Sequence, residues 1–128
     1  EAFQNTILSY NYPLNSKETP EYIIMSNFLG AEMNYKAKKF EKALTNYNRA
    51  ISLYSENENK DIVENVFWSR FQVGTIYKSQ GKLDKASKIF KNLMEEKEED
   101  GKKLWKKLAE ENYREISNRL DYSNYIKD

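Results

Sequence analysis

The chain has no cysteine and no histidine in its 128 residues. Without thiols there is no disulfide framework and no thiolate chemistry, and without imidazole the commonest metal ligand and general base are both missing. Neither absence fixes a compartment. Long apolar runs are missing as well. The longest, such as Tyr22-Ile23-Ile24-Met25, are a few residues long, against the roughly 18 that a membrane span needs. Charge of one sign is not in excess either: 21 basic against 20 acidic residues leave +1, so no global field steers the chain to nucleic acid or membrane, and partner choice falls to local patches. The sequence opens at Glu1 with no methionine, basic segment or signal-like apolar stretch, which reads as a piece of something longer.

What is present points to helices. A hydrophobic fraction of 39% with 14% aromatics is too rich for disorder, and 32% charged residues with four glycines favour long, solvated helices in a single domain. One spacing also occurs twice. Ala31, Ala43, Tyr47 and Ala50 are separated by 12, 4 and 3, and Gly74, Ala86, Phe90 and Leu93 repeat those intervals 43 residues later. Small residues and aromatics duplicated at a fixed period mark a unit that cannot bury its apolar face alone and stacks on its neighbours.

Local signals divide the chain into rods. Thr19-Pro20-Glu21 reads as a helix start, with a capping hydroxyl, a proline at the first position and an acid at the positive end of the dipole. Ile24, Phe28, Ala31 and Tyr35 then form one stripe, and after a turn at Lys38-Lys39 the residues Phe40, Ala43, Leu44, Tyr47, Ala50, Ile51 and Tyr54 form another that folds back antiparallel. A helix over about 60–80 stops at Gly81, and the next runs from Lys82 into the acidic segment Glu95–Glu99, with a break at Asp100-Gly101. The last helix carries Trp105, Leu108, Ala109, Tyr113, Ile116 and Leu120 on one side and charges on the other. Residues 1–12 echo the spacing, with Ala2, Thr6 and Ser9 in the places of Ala43, Tyr47 and Ala50, as the second helix of a truncated preceding unit.

Over residues 20–113 this pattern resembles the tetratricopeptide repeat, a helix-turn-helix unit of about 34 residues. Phe40-Glu41-Lys42-Ala43-Leu44 is close to that family's usual start to its second helix, and Gly81-Lys82-Leu83-Asp84-Lys85-Ala86 matches its turn and helix start. Leu93 is large where the family has a small residue. The long period is read as a longer loop plus an extension of the helix holding Ile62, Val66 and Trp68. Residues 20–55 form repeat one and 60–99 repeat two. A third unit begins at Trp105, but Asp121 stands where its second helix should open, so 102–126 is read as a capping helix. The expected fold is an all-α superhelix of stacked antiparallel helix pairs, about six helices in all.

The resemblance implies a scaffold that binds a peptide or protein partner on its concave face. The facing positions would be Phe28, Glu32 and Tyr35, then Trp68, Phe71, Thr75 and Lys78, with Lys106, Glu110 and Tyr113 from the last helix. Phe28, Trp68 and Phe71 can equally serve as packing between helices. A branch of the family grips a C-terminal carboxylate with Lys and Asn side chains. Lys103 and Lys107 would suit the third-helix part of that grip, but Phe28 and Glu32 stand where its first helix needs Lys and Asn. Self-association through the ends of the stack is the alternative reading. Nucleic-acid or acidic-polymer binding through Lys36, Lys38, Lys39 and Lys42, or through Lys102, Lys103, Lys106 and Lys107, ranks third. No catalytic residue, metal site or cofactor is expected, because no carboxylate pair sits in a setting that would separate its pKa values and no calcium-loop spacing occurs.

Overall fold

The computed structural model describes residues 19–54, 60–96 and 103–127. Five helices occupy the described residues: α1 (Thr19–Lys36), α2 (Phe40–Leu53), α3 (Lys60–Ser79), α4 (Leu83–Glu95) and α5 (Lys103–Lys127). There is no strand among them, and none of these helices is long and apolar enough to cross a membrane. The echo at residues 1–12 and the break at Asp100-Gly101 lie outside the described residues. The chain divides between Arg70 and Phe71 into two compact units, so α3 contributes its first half to one and its second half to the other.

In the first unit α1 packs on α2. The contacts move away from the intervening turn along both helices: Tyr35 meets Phe40 edge-on at 5.6 Å, Tyr47 reaches Glu32, and Ile24 shares a core with Ala50. That progression is an antiparallel hairpin. Ile62 and Val66 of α3 complete the core, with Met25, Ile51 and Tyr54 packed at its edge. The early start of α3 therefore supplies apolar surface to the first hairpin.

The second unit repeats the device. Gly74 faces Phe90 of α4, and the Phe71 ring lies edge-on to Phe90 at 5.5 Å and tilted to Trp105 of α5 at 6.4 Å. Ala109 and Ile116 of α5 are fully buried, and α4 packs on α5. All eight residues of the doubled spacing are buried, Leu93 included. Small side chains at those seams let helix axes approach, and the aromatics fill the grooves beside them.

The two turns are closed by the same pair of bonds. Lys39 N–H donates to the Asn34 carbonyl at 2.8 Å and Lys38 N–H to that of Tyr35 at 3.0 Å, while Lys82 N–H donates to Tyr77 at 2.9 Å and Gly81 N–H to Lys78 at 3.1 Å. Each is a Schellman closure, with a left-handed residue satisfying carbonyls that the helix end leaves free. Lys38 (φ 61°) and Gly81 (φ 77°) hold the left-handed position. The next residues, Lys39 (φ −90°, ψ 72°) and Lys82 (φ −84°, ψ 67°), share one conformation and launch the second helix.

The helix expected to run into the acidic segment ends earlier, at Glu95, with Glu96 extended. Glu95 and Glu96 close this end and its last turn holds no basic residue, and negative charge at a helix C-terminus opposes the dipole. The last helix runs unbroken past Asp121 to Lys127.

Candidate functional site

The expected contact residues fall into three settings. Phe71 is core, buried between Phe90 and Trp105. Glu32 and Trp68 form a bonded node in the first unit: one carboxylate oxygen, Oε1, accepts from Tyr47 Oη at 2.7 Å and from Trp68 Nε1 at 2.6 Å. Two lone pairs on one oxygen serve two donors, and the node ties α1, α2 and α3 together. Phe28 and Tyr35 are half-buried, Tyr35 against Phe40.

The remaining residues lie in the second unit. Thr75 and Lys78 line an open cleft of about 320 Å³ together with Ser79, Asn112 and Arg119. Helical spacing brings Thr75, Lys78 and Ser79 to one side of α3, and Asn112, Glu115 and Arg119 to one side of α5. The Lys78 ammonium donates to Asn112 Oδ1 at 2.9 Å and to Glu115 Oε2 at 2.6 Å. Arg119 donates to the other oxygen of Glu115, Oε1, at 2.6 Å. Lys78 is enclosed, its side chain 17% exposed, whereas Glu115 and Arg119 stand 47% and 53% exposed at the rim. The hydrogen bond from Lys78, reinforced by the charges of Lys78 and Arg119, outweighs partial desolvation and holds the Glu115 carboxyl below its usual value.

The hydroxyls are turned toward their own helix. Thr75 Oγ1 lies 2.8 Å from the Gln72 carbonyl oxygen and 3.1 Å from Gln72 Oε1, and Ser79 Oγ donates to Ile76 at 2.7 Å. Asn112 Nδ2 donates to the Leu108 carbonyl at 2.8 Å, which fixes its Oδ1 toward Lys78. Lys106 and Tyr113 are half-buried on α5, and Glu110 pairs with Arg114 one turn on, an exposed ion pair of small energetic weight.

Sequence reasoning named Thr75 and Lys78 but missed Asn112, Glu115 and Arg119. The four-residue step from Glu115 to Arg119 was visible as a helical charge pair, but its meeting with Lys78, 37 residues before Glu115, was not. Of the lysine clusters, Lys36, Lys38, Lys39 and Lys42 are all exposed around the first turn. At the corresponding place in the second unit, Lys82 and Lys85 lie 5.7 and 5.5 Å from the Tyr77 ring centre, where the ring face attracts cations. No group of three or more acidic side chains among the described residues is arranged to hold a metal ion.

No family model matches the chain, and neither the curated proteins nor the solved structures contain a match.

Proposed function

We propose that this chain is a non-catalytic protein-interaction module of the helical-repeat kind, its hairpins stacked as in a tetratricopeptide superhelix, taking a peptide or protein partner on the inner face of the stack. One observation carries the reading. The four buried positions of the doubled spacing recur at a period of 43 while positions beside them change chemistry, Glu32 becoming Thr75 and Tyr35 becoming Lys78. A constant frame with altered polar groups is how repeat proteins present a recognition surface. Half-buried aromatics ringed by polar groups, Tyr113 among them, are the composition that carries binding energy at interfaces.

Selection of a random peptide library on the full chain tests this. Enriched peptides should lose about tenfold or more in affinity with Lys78→Ala and with Tyr113→Ala, and little with Lys91→Ala on the exposed side of α4. Failure to enrich any sequence, or binding indifferent to Lys78 and Tyr113, refutes it.

Self-association is a second reading with a specific observation in its favour. Tyr22, Leu29 and Met33 are large, apolar and exposed on α1, and their steps of seven and four place them on one helical face. A mass that stays monomeric at every concentration removes this reading.

A further inference from the structure

We propose that the cleft between α3 and α5 is a carboxylate-binding subsite, and that the partner it takes is an acidic peptide segment whose side-chain carboxylate engages Lys78 and Arg119. The proposal rests on the peptide-docking reading above and names the chemistry of the partner.

Four observations lead there. First, all five lining residues carry polar heads, two of them cationic, and about 320 Å³ is room for a small charged group. Second, the charges do not balance: Lys78 and Arg119 share one carboxylate, that of Glu115. One further negative charge neutralises the cluster. Third, hydrogen-bonding capacity remains. An ammonium has three N–H groups and a guanidinium five. Lys78 places two on Asn112 and Glu115, and Arg119 meets Glu115 through one nitrogen. Glu115 itself, one oxygen on each cation, shows that the spacing of Lys78 and Arg119 suits a carboxylate.

Fourth, the fold does not require this chemistry. Lys78, Thr75 and Ser79 stand 43 residues after Tyr35, Glu32 and Lys36. In the first unit the position of Lys78 is filled by a ring packed on Phe40. An enclosed ammonium is a departure from that template, and its burial needs a compensating interaction. Glu115 supplies one from the rim, where it competes with an incoming carboxylate for the same donors.

The test is an amide-resolved NMR titration of the full chain at low salt with capped tetraglutamate, and with capped tetraglutamine as the neutral control. Tetraglutamate should shift amides over residues 75–79 and 112–119, and tetraglutamine should not. Arg119→Gln and Lys78→Gln should each weaken binding about tenfold, and Glu115→Gln, which removes the internal competitor, should tighten it about tenfold. Arg119 lies at the rim, so its variant tests the site even where Lys78→Gln disturbs packing. Equal binding of tetraglutamine, shifts confined to Lys36–Lys42, or weaker binding after Glu115→Gln overturns the proposal. So does stronger competition by inorganic phosphate or an oligonucleotide than by tetraglutamate. A library-selected peptide that lacks acids yet still depends on Tyr113 would remove the carboxylate and leave peptide docking standing, whereas no binder of any kind would remove both.

Discussion

At the aromatic position of its second helix the first unit has Tyr47 and the second has Phe90, and one oxygen atom separates two ways of fixing a ring. Tyr47 is held by direction, through its hydroxyl to Glu32, and the neighbouring small residue is Ala31, which keeps a Cβ. Phe90 is held by shape. Its ring lies so close to Gly74 that an added Cβ would sit 2.8 and 2.9 Å from Cζ and Cε1, with Ile89 Cγ2 at 3.3 Å. Glu32 has an acceptor's task in the first unit, and Thr75, in the equivalent place, bonds back to its own helix. The first unit also buries two asparagines, Asn27 and Asn46, where the positions 43 residues later hold Arg70 and Ile89. One spacing of small and aromatic residues thus tolerates a hydrogen-bonded ring and a tightly packed one, provided the neighbouring residues change together.

That contrast is sharpest at the small residue. Gly74→Ala should destabilise the chain by about 1–3 kcal/mol in urea unfolding, because Phe90 is fully buried and has little room to move. Ala31→Gly, the reverse exchange in the first unit, should cost about 0.5–1 kcal/mol through helix propensity. Equal and small effects at both sites would show that the two rings are held alike.

The turns give a smaller effect of opposite sign in the two units. A left-handed residue with a side chain is strained by about 1–2 kcal/mol relative to glycine, and glycine returns part of that through a freer unfolded chain. Lys38→Gly should therefore stabilise by about 0.5–1 kcal/mol and Gly81→Lys should destabilise by a similar amount, read as opposite shifts in melting temperature. Open space surrounds Gly81, so its effect is conformational and not steric. Shifts of one sign at both turns would break the equivalence drawn between them.

The smallest effect distinguishes the second unit alone. Because Glu115 is held below its usual value when folded, the unfolded state binds more protons as pH drops below the ordinary carboxylate range. The contribution is whole above that range and is lost as pH falls through the lower, folded value. Acid unfolding of the wild type should therefore be slightly steeper in that window than that of Glu115→Gln. Identical acid limbs would mean that Lys78 and Arg119 do not favour the charged form.

Much of the helical framework was legible because its signals are local. The small residues, the aromatics four positions later and Gly81 each announce a helix face or a stop within a turn or two of themselves, and the structure buries or bends the chain there. Lys38 was legible only as part of a turn, since nothing in a lysine announces a positive φ. The repeat supplies that information through Gly81. The polar connections were hidden for a different reason. Glu32 lies 15 residues from Tyr47 and 36 from Trp68, and the identity of such partners depends on how far one helix slides and rotates against the next. Phe71 illustrates the same limit. Its spacing suits either an exposed anchor or a seam, and only the rings of Phe90 and Trp105 decide for the seam.

The indole hydrogen bond in the first unit has a practical corollary. The chain has two tryptophans, and they fall one on each side of the division: Trp68 donates to a carboxylate, and Trp105 is tilted against Phe71. Nature has installed a separate fluorophore in each half, in unlike electrostatic surroundings, so replacing either one by phenylalanine leaves an emission that reports on a single hairpin.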